Sequence, residues 1–198
     1  GSRALAMELG QGTLAFAPQV KGLELPGYEP RALQTMALGF AVGSRGADHN
    51  RSGAYEVDFS ENVDRRNAEV SQARLAVETE NKAAIMDSLI LCKFLRGVFD
   101  DYFAECAEML NLITGWNLQA QDLVQTAEEL INAKKQFNIL SGWTPAEDTL
   151  PERMLTSALD DDQDARLNRQ TLESLIKAYN LERGWDASGF LPTNSTIA

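Results

Sequence analysis

The sequence predicts an all-α protein, an irregular multi-helix bundle. Two observations carry this. Apolar residues recur at three- and four-residue steps, as in Leu33, Met36, Ala37, Phe40 and Ala41, the spacing that gathers one face of a helix. No run alternates polar and apolar residues convincingly enough to build a sheet. No internal repeat is visible.

The elements follow in chain order. The opening GSRALAMELG reads as the last turns of a helix, with Gly10 as its stop. Residues 11–29 hold Gly12, Pro18, Gly22, Pro26 and Gly27 and read as an extended connection. Pro30 suits the first turn of the next helix, which Gly43 and Gly46 interrupt. Residues 52–62 read as a turn-rich loop. From Val63 to about Ala84 the pattern is helical but polar, with Val70, Ala73, Leu75, Ala76 and Val77 inside. Residues 83–95 are the most apolar stretch. Asp101 to Leu112 forms a further helix, and Gln119 to Leu140 the longest, with Leu123, Ala127, Leu130, Ile131 and Phe137 facing inward. A loop with Pro145 and Pro151 follows. DDDQD at 160–164 reads as a solvated acidic loop. Thr171 to Arg183 is the last helix, and GWDASGFLPT an ordered tail.

Composition excludes several classes of partner. Eighteen basic against 29 acidic residues leave a formal charge of -11. Such a surface repels nucleic acid and anionic lipid, so an anion must find a local cationic pocket. No apolar run reaches the length of a membrane span. The start lacks the basic flank and apolar block of a signal peptide. Two cysteines, Cys92 and Cys106, are too few for a secreted disulfide framework. A reducing cytoplasm is the expected compartment.

Two stretches could carry chemistry. RGADHNR, residues 45–51, holds the only histidine of the chain between two arginines. On a helix Arg45 and His49 share a face, and Arg51 leaves from another. A helix terminus or loop would let both arginines converge on a phosphate, with His49 exchanging a proton near neutral pH. Arginines nearby favour neutral imidazole, and Asp48 opposes that. The plainer reading is a surface loop with ion pairs. The second stretch is DSLILC, residues 87–92. Asp87 lies among apolar residues, where a carboxylate needs partners. Cys92 could ligate a metal as thiolate, or the pair could be a helix cap and a small core cysteine. Cys106, in helical register with Phe103 and Met109, reads as core.

Both stretches also match a known pattern. VKGLELPGYEPR, LGFAVGSRGADHNRS, DSLILCKF, FNILSGWTPAEDTLPERML and RGWDASGFLPT occur in that order over nearly the whole chain. Together they resemble the C-terminal part of the aldehyde ferredoxin oxidoreductase family, the tungsten- and molybdenum-pterin enzymes. The resemblance implies the fold of that region, the C-terminal helical domains. It implies that His49 is the active-site histidine assisting proton transfer. Arg45 matches a pterin-binding residue and Arg51 a basic one. Asp87 and Leu91 match pterin contacts of a D-x-x-G-L-C motif, and Cys92 the fourth cysteine of a [4Fe–4S] cluster. His49, Asp87 and Cys92 should then border one cleft, with Asp87 facing water or taking backbone amides from its own segment.

Three departures stand out. Ile90 occupies the position of the motif's glycine, whose backbone conformations an isoleucine cannot readily take. Asp48 stands where some members have cysteine. Residues 1–198 read as the helical region alone, without the N-terminal pterin-binding domain, the CxxCxxxC triplet and a second aspartate-containing motif. For the whole enzyme the resemblance implies oxidation of a small aldehyde to a carboxylic acid by a tungsten or molybdenum bis-pterin. Electrons would leave through the [4Fe–4S] cluster to ferredoxin or another electron-transfer subunit; a homo-oligomer is compatible with this reading. A class II benzoyl-CoA reductase catalytic subunit, with the same cofactors, is one alternative. An inactive helical fragment is another.

Overall fold

The computed structural model describes residues 1–192. Among them are nine α-helices and a single pair of two-residue strands. The helices are α1 (Ser2–Leu9), α2 (Gln34–Val42), α3 (His49–Ser52), α4 (Tyr55–Asp58), α5 (Gln72–Ser88), α6 (Tyr102–Thr114), α7 (Ala120–Leu140), α8 (Glu152–Thr156) and α9 (Arg169–Glu182). The predicted all-α class is what is found. No helix of the described residues is long and apolar enough to cross a membrane.

Helices with local caps fall where the sequence places them. Gly10 terminates α1 at a positive φ. Asp101 accepts the Ala104 N–H to start α6. Gln119 and Asp122 form a reciprocal capping box at the start of α7, and Asn168 accepts the Thr171 N–H at the start of α9.

Elements set by distant residues depart from the expectation. The connection 11–29 contains a hairpin, β1 (Gln19–Val20) and β2 (Leu23–Glu24), antiparallel with Val20 opposite Leu23. Lys21 and Gly22 at its tip both have positive φ, as a two-residue hairpin turn requires. Helix α2 starts at Gln34 rather than at Pro30. No local side chain caps it. The Asp58 carboxylate, from α4, accepts the N–H groups of Thr35 at 3.1 Å and Met36 at 2.8 Å. Residues 52–62, expected as loop, contain α4 and the end of α3. The helix expected from Val63 begins only at Gln72. Gln34 explains the delay: its amide oxygen accepts the Ala68 N–H, and its amide nitrogen donates to the carbonyls of Arg66 and Arg166. The backbone of the 66–68 segment is thereby held in turns, and Val70 is exposed rather than inside.

Two apolar clusters form the core. One gathers α5, α6, α7 and α9 around Ile85, Met86, Cys106, Ala127, Ile131 and Tyr179. The other joins α2 to Val20, Leu150, Leu155, Leu167 and Leu172. All nine residues of α2 are buried, so it has no solvent face, contrary to the single apolar face expected. Each fully buried large side chain such as Phe40 or Leu38 contributes about 2 kcal/mol. A buried polar knot locks α5 to α9. Glu80 accepts from the Tyr179 hydroxyl and pairs with Arg183, which also donates to Asn81 at 2.6 Å.

Candidate functional site

The RGADHNR segment is held from behind by the hairpin. The Lys21 ammonium donates to the carbonyls of Ala41 in α2, at 2.6 Å, and of Gly43, which follows it, at 2.9 Å. Gly46 has φ +90°, and a Cβ there would lie 2.0 Å from the Val20 carbonyl oxygen. The chain therefore passes against the hairpin only because residue 46 is glycine. Asp48 then caps α3, accepting the N–H groups of Asn50 and Arg51 at 3.0 and 3.2 Å. Its carboxylate also lies 3.5 Å from Arg45.

This break between helices lets the two arginines converge. Arg45 and Arg51 line one open cleft of about 410 Å³ with Ser44, Lys134, Phe137 and Asn138. Asn138 donates to the Ser44 carbonyl at 2.7 Å and ties α7 to the loop. The sequence reading missed Lys134. Burial lowers its pKa, with Glu80 opposing and Arg51 reinforcing the shift. Among the described residues it forms no ion pair within 4 Å. Nothing in the consecutive lysines at 134 and 135 indicates which one faces the cleft. Phe137, expected inward, is exposed on the cleft wall.

Asp87 is joined to this cleft through Arg51. The Arg51 guanidinium reaches one carboxylate oxygen at 2.5 Å. The Lys93 ammonium lies 2.5 Å from the other, in charge contact rather than in hydrogen-bond geometry. Its partners are thus two cations, where open water or backbone amides were expected. The turn after Asp87 is a helix C-cap. Leu91 N–H donates back to Met86 O, Ile90 N–H to Asp87 O, and Ile90 takes φ +55°. That is the left-handed position a glycine normally fills, and here a β-branched residue takes it at the cost of backbone strain. Leu91 packs partly against the first core cluster. Cys92 is exposed and free, and Cys106 is buried in the core. Ile90 and Phe94, on either side of Cys92, are 91% and 94% exposed.

His49 leaves α3 on a different face from Arg51. Its ring packs against Tyr28 at 5.2 Å and Tyr55 at 5.7 Å between centroids. The two tyrosines stack on each other at 5.9 Å. Burial lowers the His49 pKa, Asp48 opposes, and Arg96 adds to the lowering. The cation that favours neutral imidazole is therefore Arg96, not one of the arginines beside it in sequence. The structure brings Arg45 and Arg51 into one cleft and joins Asp87 to it through Arg51. His49, Asp87 and Cys92 are not among the residues lining that cleft, contrary to the single cleft expected for the three; His49 sits in its own aromatic cage.

A family model described as "Aldehyde ferredoxin oxidoreductase, domains 2 & 3" matches residues 1–198. The chain belongs to the aldehyde ferredoxin oxidoreductase family. The tungsten-containing aldehyde ferredoxin oxidoreductase of Pyrococcus furiosus is 30% identical over 198 residues, 97% of this chain and 32% of that protein. The protein of the same description from Thermococcus kodakarensis is 30% identical over 183 residues, 89% of this chain and 29% of its own length. The chain thus spans about a third of the length of the curated relatives it matches.

The donor set can be tested against the cofactors of an aldehyde ferredoxin oxidoreductase. A cleft walled by Arg45, Arg51 and Lys134 suits an anionic ligand, since three cations converge where the chain as a whole is acidic. Cys92 offers one accessible thiol, and a cubane cluster needs four such ligands. Among the described residues no group of three or more His, Cys, Asp and Glu side chains could hold a metal ion. The cleft suits an anionic group, and Cys92 can offer a cluster at most one thiolate.

Proposed function

We propose that this chain is the helical, C-terminal part of a tungsten- or molybdenum-pterin oxidoreductase that oxidises aldehydes to carboxylic acids. The observation that carries this reading is the cleft in which Arg45, Arg51 and Lys134 converge beside Asp87. An acidic chain concentrates three cations there, and Arg51 spans from the histidine-bearing helix to Asp87. When bound, the pterin metal would supply two-electron redox chemistry and the iron–sulfur cluster one-electron transfer toward ferredoxin or another carrier.

The chain's own residues have separable tasks. Arg45, Arg51 and Lys134 bind and orient the anionic cofactor by charge and hydrogen bonds. Asp87 accepts from ring N–H groups while Arg51 and Lys93 hold its charge. Leu91 positions that turn against the core. Cys92 would hold the cluster by one thiolate, and the other three thiolates and an N-terminal pterin-binding domain would have to come from outside residues 1–198. A ring nitrogen of His49 accepts a proton released as the aldehyde is hydrated and oxidised. Burial and Arg96 keep that nitrogen unprotonated near neutral pH.

The test is His49→Ala in the intact enzyme. Turnover falls by roughly a hundredfold or more, with metal and pterin content near normal. Cofactor lost in proportion to activity would make His49 structural and overturn its role.

A further inference from the structure

Arg96 holds a set of contacts that its place in the sequence does not suggest. It lies four residues after Cys92, in a different segment from the RGADHNR stretch. Its side chain is only 14% exposed. Every nitrogen of its guanidinium nevertheless reaches toward the histidine-bearing region. Nη2 donates to the Asn50 carbonyl at 3.0 Å, Nη1 bonds the Tyr55 hydroxyl, and Nε pairs with Glu56 at 2.9 Å. The guanidinium carbon also sits 5.3 Å from the Tyr55 ring centroid. Tyr55 is one wall of the His49 cage, and Asn50 is the residue next to His49.

We propose that Arg96 is the positioning residue for His49, a strut that fixes the imidazole against Tyr55 and Tyr28 and ties the Cys92 segment to the proton-transferring helix. The physical reason is the planar fork. A guanidinium can hold a carbonyl, a phenol and a carboxylate at once in a fixed geometry, which an ammonium cannot. With that fork in place the α3 backbone and the Tyr55 ring are held from the same point. The Tyr55 ring in turn restricts His49 and shields it from water. The charged and titratable groups around His49 are Asp48 on its own helix, Tyr28 from the loop before α2, Tyr55 from α4, and Arg96. Asp48 and Arg96 act on the imidazole in opposite directions, and Glu56 pairs with Arg96. Removing Arg96 therefore leaves Asp48 unopposed and opens the cage, and both changes favour protonated His49.

This inference rests on His49 acting in proton transfer, and the experiment separates the two. In the intact enzyme, Arg96→Met and Arg96→Lys are compared with the parent and with His49→Ala. Arg96→Met is expected to lower turnover by about tenfold or more and to move the acid limb of the rate profile to higher pH, with metal and pterin content retained. Arg96→Lys keeps the charge but not the fork. It should hold the acid limb near the parent's pH while recovering only part of the turnover. A second readout does not depend on activity. The peptide carrying His49 is followed by mass spectrometry during carbethoxylation by diethyl pyrocarbonate. Its reaction should become faster and its pH midpoint higher in Arg96→Met. If Arg96→Met fails to accumulate, the rate and midpoint in Arg96→Lys decide, with a rate equal to the parent's counting against the strut. An unchanged acid limb and an unchanged carbethoxylation midpoint in Arg96→Met overturn the proposal. A shifted midpoint with full turnover in His49→Ala upholds the strut and overturns the catalytic reading instead.

Discussion

Lys134 and Lys135 are neighbours in sequence and opposites in the structure. Lys134 lines the open cleft with Arg45 and Arg51. Lys135 is 5% exposed, lies 3.1 Å above the centroid of the Trp143 ring, and pairs with Asp148 at 3.4 Å. Asp148 also takes Lys21 at 2.7 Å and the Trp143 indole N–H at 2.9 Å. Burial lowers the Lys135 pKa to about 8, with Asp148 opposing. One helix thus serves two charge clusters. The inner one is closed, each charge answered by the chain itself, and its work is to hold the 143–150 loop, the hairpin and the end of α2 together. The outer one is cationic and open, with charge left over for a ligand. Charge answered from within stabilises a fold; charge left unanswered at an opening is available for binding.

The most damaging way to probe the comparison is Asp148→Ala. It strands Lys21 and Lys135 in the interior without a counter-charge, and roughly 3–5 kcal/mol of stability should be lost. Urea unfolding followed by tryptophan fluorescence measures it, since Trp143 touches the site. A loss no greater than that of Asp87→Ala, at the half-open cluster, would erase the distinction between inner and outer charge.

Asp58 extends the comparison to pH. Burial raises its pKa from 3.8 to about 6, against the hydrogen bonds from Met36 and Thr35 that lower it. The folded state therefore holds this proton more tightly than the unfolded chain. Its contribution is full below pH 3.8 and is lost as pH rises to about 6. Relative to Asp58→Asn, the parent should lose roughly 1–3 kcal/mol of stability across that window. Parallel stability curves for the two proteins between pH 3.8 and 6 would show that Asp58 is not held as a buried acid.

A smaller effect is expected at Ile90, on the exposed rim beside Cys92. Glycine relieves the strain of φ +55° but adds freedom to the unfolded chain. The net expectation for Ile90→Gly is a gain of about 0.5 kcal/mol by thermal unfolding, where glycine at an ordinary helical site such as Ala104 costs about 1 kcal/mol. Equal losses at both sites would mean that the turn is not strained.

The smallest stability change belongs to Lys134→Met, within about 0.5 kcal/mol of the parent. Metal and pterin content of the intact enzyme should nevertheless fall. A large loss of stability with full cofactor content would move Lys134 into the structural class and break the comparison at its origin.

Much of this was legible in one dimension. The α6, α7 and α9 helices carry their own start residues and apolar stripes, and α1 carries its own stop at Gly10, so these boundaries are local matters. Gly43 and Gly46 mark a helix break that would let Arg45 and Arg51 converge, but that Asp48 caps α3 there shows only in the structure. Other features depend on contacts across long sequence separations. The start of α2 is set by Asp58, 23 residues beyond Thr35. The turns before α5 are held by Gln34, 34 residues before Ala68. Phe137 has the periodicity of a core residue, and only the position of the 44–51 loop makes it a cleft wall.

The sequence by itself determined the helical class, the family, the residues of the two motifs and the short cationic stretch in an acidic chain. The class and the cationic stretch depend on periodicity, composition and neighbours within a few positions, and the family on its resemblance over five stretches in order. The tertiary structure decided which lysine of the 134–135 pair faces the cleft, which cations answer Asp87, and which arginine governs His49. Arg96 reaches Asn50 from 46 residues away. Charges separated by such distances in sequence interact strongly only when the fold brings them within a few ångströms and removes water from between them, and no local pattern records that approach.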